Sequence, residues 1–181
     1  MGKVFLDMSI SLDGFVNGPN GEDGGLHDWY FSPSGDGPKI LDELSQDIGA
    51  MVLGKRTFGI QPDGFDTPYK VPHFVLTHEP RVKVERNGAR FTFVTDGVEN
   101  ALAQAKAAAG DKDVCIAGGA STAQQFLNAG LVDEVQLHLV PVLFGGGLRL
   151  FGTGTETRLE KVRVLESSGV THLKFRVLRE S

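Results

Sequence analysis

The chain has 181 residues, a formal net charge of −5 and hydrophobic residues at 40% of its positions. This length predicts one domain, residues 1–181, with enough apolar side chains for a sizeable core. The acidic balance and the scattered Lys and Arg residues argue against nucleic-acid binding, and no apolar run is long enough to cross a bilayer.

The N-terminal part predicts a strand followed by a long loop. Val4–Ile10 is typical of a buried strand, and no signal-peptide pattern precedes it, so we expect a cytoplasmic protein. The segment Asn17–Gly37 is rich in Gly, Pro, Asp and Ser but carries aromatic residues, and loops of this length are uncommon unless they cover a site. One face of a short helix is then marked by Ile40, Leu41, Leu44 and Ile48.

The middle of the chain alternates strands with helices. A strand at Met51 is followed by a segment rich in Pro, Gly and Asp, Gln61–Pro72. Helices are predicted at Val98–Ala109, capped by Thr95 or Asp96, and at Ser121–Ala129. This alternation predicts a largely parallel sheet with helices on both faces. The remaining strands of this part are predicted at His73–Thr77, at Phe91–Val94 and in the apolar run that begins at Val114.

The C-terminal part predicts antiparallel strands. Val162–Glu166 and Leu173–Val177 are expected to pair as a hairpin that turns near Ser168-Gly169. His138 and His172 fall on the polar side of their strand patterns, and we interpret both as structural. A half-exposed strand is predicted before the hairpin from the alternating apolar residues Val135, Leu137 and Leu139.

Two glycines separate the apolar run that contains Cys115 from the predicted helix at Ser121. Cys115 is the only cysteine, and its apolar surroundings favour a structural thiol in a reducing compartment. Gly118 and Gly119 leave the backbone N–H groups of the helix start open to a ligand, and that end of a helix favours a phosphate. The alternative is that the glycines serve only the packing of strand against helix.

A second strand end carries positive charge. Gly54 is followed by Lys55, Arg56 and Thr57. Adjacent cations suit a phosphate monoester such as the one that distinguishes NADPH from NADH, although a solvated basic turn is the alternative. The spacing from Gly49 to Lys55 is similar to that of a P-loop, but Arg56 occupies the position that requires a magnesium-binding Ser or Thr.

Six motifs follow one another along most of the chain. They are Ser11-Leu12-Asp13-Gly14-Phe15, Met51-Val52-Leu53-Gly54-Lys55-Arg56-Thr57-Phe58, Phe74-Val75-Leu76-Thr77, Ile116-Ala117-Gly118-Gly119, Gly130-Leu131-Val132-Asp133-Glu134-Val135 and Val140-Pro141-Val142-Leu143-Phe144-Gly145-Gly146-Gly147. In this order they resemble the dihydrofolate-reductase-like fold. The resemblance is closer to the C-terminal reductase domain of the bifunctional riboflavin-biosynthesis deaminase-reductase.

The resemblance implies a three-layer α/β fold with a mixed, mostly parallel central sheet, helices on both faces and a C-terminal antiparallel hairpin. It also implies NADPH as the cofactor and a homodimer, for which the strand Val135–Val142 is a candidate interface. Residues Ser11–Asn17 would form a mobile loop over the nicotinamide. The residues assigned to NADPH are Gly54, Lys55, Arg56, Thr57, Thr77, His78, Gly118, Gly119, Ala120, Ser121 and Thr122.

The resemblance assigns fewer residues to the substrate than to the cofactor. The resemblance places the loop Leu143–Gly147 there, which gives Phe144, Gly145 and Gly146 as substrate-binding residues. Trp29, like Phe31, either stacks on a planar substrate or anchors its loop to the core. Arg149 is a candidate cation for a substrate phosphate.

Acid–base candidates come from the two loops. Asp13 is either hydrogen-bonded within its own turn or placed near the nicotinamide, and His27 is a surface residue or the alternative proton donor. Dihydrofolate reductase places a carboxylate near the start of its first helix, where this chain has Gly37-Pro38-Lys39. Asp28 or Asp36 would have to replace it, which weakens the case for folate reduction.

These observations predict an NADPH-dependent oxidoreductase acting on a small polar heterocyclic substrate. The resemblance suggests a reductase of 5-amino-6-(5-phosphoribosylamino)uracil. The alternatives are a dihydrofolate reductase-type activity and a nucleotide-binding module without turnover. One cysteine is too few for the zinc site of the deaminase half, and the scattered histidines suggest no metal site.

Overall fold

The computed structural model describes residues 2–59, 66–152 and 154–180. The strands in these ranges are β1 (Val4–Ser11), β2 (Ile48–Gly54), β3 (Pro72–Leu76), β4 (Val84–Arg86), β5 (Ala89–Val94), β6 (Asp113–Ile116), β7 (Glu134–Val140), β8 (Arg158–Ser167) and β9 (Val170–Leu178). The helices are α1 (Asp28–Phe31), α2 (Gly37–Asp47), α3 (Lys55–Phe58), α4 (Val98–Ala109) and α5 (Ala120–Asn128).

These strands form a single sheet in the order β4-β5-β3-β2-β6-β1-β7-β9-β8. The six strands from β5 to β7 in this order pair in parallel. β4 is antiparallel to β5, and β8 and β9 form an antiparallel hairpin against β7. The predicted mixed, mostly parallel sheet and its C-terminal hairpin are therefore confirmed. Because the central strands are parallel, their carboxyl ends meet at one edge, where ligands bind in open α/β sheets.

Helices cover both faces of the sheet. On one face, α4 and α5 contribute residues such as Leu102 and Phe126 to an apolar cluster with Leu6 of β1. On the other face, Trp29 of α1 and Leu44 of α2 belong to a second cluster. Alternate residues of β1 enter the two clusters, as expected for side chains that point to opposite faces of a strand. The three-layer prediction is therefore correct.

Cys115 lies at the centre of the sheet. Its strand, β6, pairs with β1 on one side and β2 on the other, and its thiol is buried and unbonded to another cysteine. Burial, followed by the negative charges of Asp7 and Asp113, raises the pKa of the thiol. These features fit the structural role expected from the sequence.

Three local predictions were wrong. β7 is not half-exposed: it pairs with β1 and β9, and its residues 134–138 are buried, so it is unavailable as a dimer interface. Ile48 belongs to β2, because the preceding helix ends at Asp47. Neither Thr95 nor Asp96 caps α4; Gly97 lies at the cap with φ near +103°, a conformation that favours glycine. Within the predicted loop Gln61–Pro72, residues 61–65 lie outside the described ranges.

Candidate functional site

The carboxyl ends of β2 and β6 contact each other through their backbones. The Gly54 N–H donates a hydrogen bond of 2.8 Å to the carbonyl of Gly118. A Cβ atom at Gly54 would lie 2.6 Å from Oγ1 of Thr122, so a larger residue has no space. Gly118 adopts a φ of +108°, and the Gly118–Gly119 peptide bond is cis. Two of the glycines predicted to bind a cofactor are therefore required by geometry.

The start of α5 opens at this edge. Gly119 is its N-cap residue and supplies no side chain, so no side-chain cap occupies the first N–H groups. Ala120 and Thr122 are buried in the first turn, whereas Ser121 is exposed. Thr57 of α3 lies beside this turn, with its Oγ1 3.4 Å from where a Gly119 Cβ would be. A helix start of this kind, next to a hydroxyl group, suits an anionic group such as a phosphate.

Two cations and one carboxylate surround the same edge. Lys55 Nζ donates to Glu79 at 3.0 Å, and Thr77 Oγ1 accepts a hydrogen bond from the Glu79 N–H at 3.1 Å. The side-chain hydrogen bond from Lys55, and then its charge, lower the pKa of Glu79. Arg56 is exposed and makes no hydrogen bond or ion pair within the described part of the chain. Arg56 is thus the cation open to a phosphate, while His78 is an exposed neighbour.

Asp13 joins two loops on the substrate side of the edge. Its carboxylate accepts a hydrogen bond of 2.6 Å from the Ser11 hydroxyl and others from the backbone N–H groups of Phe144 and Gly145, at 3.2 and 2.8 Å. The bond from Ser11, followed by those from Gly145 and Phe144, lowers the pKa of Asp13. The carboxylate therefore holds the loop after β7 against the loop after β1.

The long polar loop before α1 covers the same loop after β7. Phe144 packs on Gly24, where a Cβ atom would approach its ring to 2.3 Å. The Leu148 N–H donates to Asn17 Oδ1 at 3.1 Å. The guanidinium of Arg149 lies 4.7 Å from the ring centre of Phe15, so that cation packs on the loop as well as facing solvent.

The remaining candidates on the substrate side differ in their environment. His27 and Asp28 are exposed, and His27 Nδ1 forms a 2.5 Å hydrogen bond with Asp23. Trp29 is buried, and its Nε1 donates to Ser9 Oγ at 3.0 Å. Its ring centre lies 4.2 Å from that of His138. Trp29 has the anchoring geometry, and little of its surface is left for stacking on a ligand.

The first long helix offers no carboxylate to this site. Asp42 is exposed, and Glu43 forms an ion pair of 2.9 Å with Arg163. Asp36 accepts a hydrogen bond from the Glu166 N–H at 3.1 Å. The carboxylates near the start of α2 are therefore directed to solvent or to the β8–β9 hairpin.

A chain of buried and half-buried polar residues beneath α1 was missed by sequence analysis. Asp7 Oδ1 lies 2.8 Å from His138 Nε2, His138 Nδ1 lies 2.7 Å from His172 Nδ1, and His172 Nε2 lies 2.6 Å from Ser167 Oγ. Gln136 also donates to Asp7 Oδ1, at 2.8 Å. Asp7 was hidden inside an apparently apolar strand. The available signal was that it shares one side of that strand with Ser9 and Ser11.

A cleft of about 400 Å³ lies between α5 and residues 151–159, and none of the site residues predicted from the sequence lines it. Within the described residues, no group of three His, Cys, Asp or Glu side chains is arranged to hold a metal ion. No helix in those ranges has the length and apolar composition needed to cross a membrane.

Comparison with known families agrees with this geometry. Residues 2–173 match the family of the RibD C-terminal domain. The chain belongs to this family. One relative is the uncharacterized protein YyaP of Bacillus subtilis (strain 168). The two sequences are 30% identical over 158 residues, which cover 82% of this chain and 80% of the relative.

Solved structures confirm the dihydrofolate-reductase-like fold. A putative riboflavin biosynthesis protein from Shewanella sp. PV-4 aligns with a TM-score of 0.77 and 24% identity, over 98% of this chain and 99% of that one. Dihydrofolate reductase from Enterococcus faecalis, complexed with NADP(H), aligns with a TM-score of 0.67 and 19% identity over 98% of both chains.

The bifunctional deaminase and 5-amino-6-(5-phosphoribosylamino)uracil reductase of Thermotoga maritima is a third structural neighbour. It aligns with a TM-score of 0.69 and 15% identity. The alignment covers 98% of this chain and 57% of that protein. This chain therefore corresponds to one part of the bifunctional protein.

Proposed function

We propose that this RibD C-terminal domain protein is an NADPH-dependent reductase of a small polar heterocyclic substrate. The observation that carries the proposal is the meeting of β2 and β6 at Gly54 and Gly118, where an uncapped helix start lies beside Thr57. Any side chain at Gly54 would fill this space. A pyrophosphate fits the helix start, and the exposed Arg56 fits the additional phosphate of NADPH.

NADPH would supply a hydride, while the protein orients cofactor and substrate and excludes water. Gly118 to Thr122 would hold the pyrophosphate, and Lys55, Arg56 and Thr57, with Thr77 and His78, would surround the adenosine phosphate. Asp13 would then act by fixing the loop of Phe144 to Gly146 on the substrate side. The reductase half of the Thermotoga protein supports 5-amino-6-(5-phosphoribosylamino)uracil as the first substrate to test.

The first experiment is a fluorescence titration of the purified protein with NADPH and with NADH. We expect NADPH to bind more tightly, and Arg56→Ala to weaken NADPH binding by about 10- to 100-fold because a charge-assisted hydrogen bond contributes about 1.5–3 kcal/mol. NADH binding should change little, because NADH lacks the additional phosphate. Arg158→Ala is the matched control. Arg158 is also an exposed arginine, but it forms an ion pair with Glu156 and is not among the residues assigned to NADPH.

Two results would contradict the proposal. If neither nucleotide binds, the cofactor assignment must be abandoned. If Arg56→Ala weakens the binding of NADPH and of NADH equally, Arg56 does not contact the additional phosphate of NADPH.

We also propose a homodimer, formed through β8 rather than β7. β8 is an edge strand, and Leu159, Val162 and Val164 on it are exposed. Apolar side chains along an unpaired edge favour association with a second copy. Sedimentation should give a dimer at micromolar concentration and a monomer for Val164→Lys; a monomeric wild-type protein would contradict this proposal.

A further inference from the structure

Glu79 places a carboxylate next to the cations at the carboxyl edge of the sheet. It lies in the turn after β3, and its carboxylate accepts a hydrogen bond of 3.0 Å from Lys55 Nζ. Arg56 follows Lys55 in α3, and Arg81 lies two positions after Glu79. The hydrogen bond from Lys55, and then the charges of Lys55 and Arg81, lower the pKa of Glu79, so the carboxylate is ionised at neutral pH. Glu79 is therefore the counterion of a cation that the proposed function assigns to phosphate.

The fold holds the backbone of Glu79 in this position. Its N–H donates to Thr77 Oγ1 at 3.1 Å, and the Thr77 N–H donates to the carbonyl of Val94 at 3.1 Å. These two bonds attach the turn after β3 to the end of β5. On the other side of Glu79, the guanidinium carbon of Arg81 lies 4.7 Å from the ring centre of Phe93. The turn is thus fixed at both ends, while the Glu79 side chain is 73% exposed and accessible to a ligand.

The strand order relates this turn to the start of α5. Glu79 follows β3, α3 follows β2 and α5 follows β6, and the three strands are neighbours in the order β3-β2-β6. Neighbouring strands lie about 4.8 Å apart, so β3 is roughly 10 Å from β6. A nucleotide whose pyrophosphate binds at the start of α5 can therefore extend across α3 and bring its ribose to Lys55 and Glu79.

The two nicotinamide nucleotides differ in what they would bring to this place. The additional phosphate of NADPH carries a charge of about −1.5 to −2 at pH 7, which attracts Lys55 and is repelled by Glu79. NADH has a hydroxyl group at the same ribose position, and a carboxylate can accept a hydrogen bond from it. Glu79 therefore opposes the binding of NADPH but not that of NADH.

We propose that Glu79 is an internal counterion that competes with the additional phosphate of NADPH for Lys55. This inference rests on the proposed reductase function, because it concerns the same cofactor site. Without a nucleotide, Glu79 neutralises Lys55. When NADPH binds, the Lys55 ammonium group leaves Glu79 and contacts the phosphate together with Arg56. Glu79 thereby reduces the difference in affinity between NADPH and NADH, and it determines how selective the site is.

Fragments of the nucleotide test this competition without turnover. Adenosine 2′,5′-bisphosphate carries the additional phosphate, and adenosine 5′-phosphate lacks it. In chemical-shift titrations at low salt, Glu79→Gln should bind the bisphosphate about three- to fivefold more tightly than the wild type, the factor expected for one exposed ion pair. Binding of the 5′-phosphate should change little, and salt at about 1 M should remove the difference between the two proteins. Glu85→Gln is the matched control, because Glu85 is also exposed and forms an ion pair of 3.1 Å with Arg90.

A double-mutant cycle separates competition for Lys55 from simple repulsion of the phosphate. In a Lys55→Gln background, Glu79→Gln should improve binding of the bisphosphate by a smaller factor, since no ammonium group is released. An equal improvement in both backgrounds would overturn the inference. It would also be overturned if Glu79→Gln and Glu85→Gln had the same effect, or if neither the wild type nor Glu79→Gln bound the bisphosphate.

The intact nucleotides distinguish this inference from the proposed function. Glu79→Gln should raise the ratio of the NADPH affinity to the NADH affinity about three- to fivefold, as measured by fluorescence titration. An unchanged ratio would contradict the competition. If the wild type binds the bisphosphate as expected but binds neither intact nucleotide, the reductase function is removed, while the competition between Glu79 and a phosphate is still supported.

Discussion

The two faces of the sheet differ in what the same strands contribute. On the side of α4 and α5, β1 presents Val4, Leu6 and Ile10 to a cluster that is apolar throughout. On the side of α1 and α2, the same strand presents Asp7 and Ser9, which join hydrogen bonds with neighbouring strands and with α1. One face is a conventional core, whereas the other carries a buried polar network.

This difference indicates different roles for the two faces. Apolar burial stabilises a fold by about 25 cal/mol per Å², whereas a buried hydrogen bond contributes only about 1 kcal/mol net. Polar groups beneath α1 and α2 therefore stabilise the protein less than apolar groups of the same shape would. Their hydrogen bonds avoid the cost of leaving buried polar groups without partners on that face.

The largest expected effect belongs to the apolar face. Phe126→Ala should lower the free energy of unfolding by about 3–5 kcal/mol, because the phenyl ring is fully buried and its loss leaves a cavity. Urea denaturation measures the change. Phe31→Ala removes the same ring from a residue that is 79% exposed and should cost less than about 0.5 kcal/mol. Similar losses in the two variants would show that this cluster is not the core.

The polar face should make stability depend on pH. Burial, followed by the positive charge of His138, lowers the pKa of His172 from 6.5 to about 4. The unfolded chain therefore binds a proton at His172 as the pH falls below 6.5, while the folded protein binds it only near pH 4. Stability should accordingly fall between pH 7 and pH 4, by on the order of 3 kcal/mol from this group.

His172→Gln should flatten that part of the pH dependence, as measured by urea denaturation at pH 7 and pH 4. His78→Gln is the control, since His78 is exposed and should leave the wild-type dependence in place. If His172→Gln and the wild type lose equal stability over this range, His172 is not held neutral by the fold.

The smallest expected effect concerns Asp13, which lies in the loop that follows β1. Asp13→Asn should weaken the bonds from Phe144 and Gly145 by about 1 kcal/mol, so their amide protons should exchange roughly fivefold faster. Global stability should change little, since the loops lie outside the core clusters. Asp42→Asn, at an exposed helix position, is the control. Unchanged exchange of Gly145 would mean that Asp13 does not hold the loop.

Much of the fold was predictable because the chain follows simple periodic patterns. The central helices α4 and α5 were predicted within one residue of their observed ends, and the parallel strands from their apolar runs. The short elements α1 and β4 were missed, since four and three residues leave no period to detect. The burial of β7 was misjudged because its polar residues contact side chains of the neighbouring strands and Trp29 of α1. This is a tertiary effect that alternation alone does not reveal.

The candidate site likewise contains residues that were predictable from local sequence and residues that were not. Glycines next to strand ends are visible in a sequence, and Gly54 and Gly118 do lie together at the carboxyl edge. Asp7, His138 and His172 are distant in sequence and adjacent only through the strand order β1-β7-β9. The sequence left two roles open for Trp29, stacking on a substrate or anchoring its loop. The choice depends on which strand residues lie beneath the ring, and these are distant from Trp29 in the sequence.

The position of Cys115 has a practical consequence. The chain contains one thiol, and it lies within the central sheet with a raised pKa. A thiol reagent can reach it only in molecules whose strands have separated. All labelling of this chain by such a reagent therefore occurs at Cys115. The rate of labelling therefore counts opening events of the sheet directly. Added nucleotide that binds the folded form should slow this rate, so the protein carries its own reporter of ligand binding.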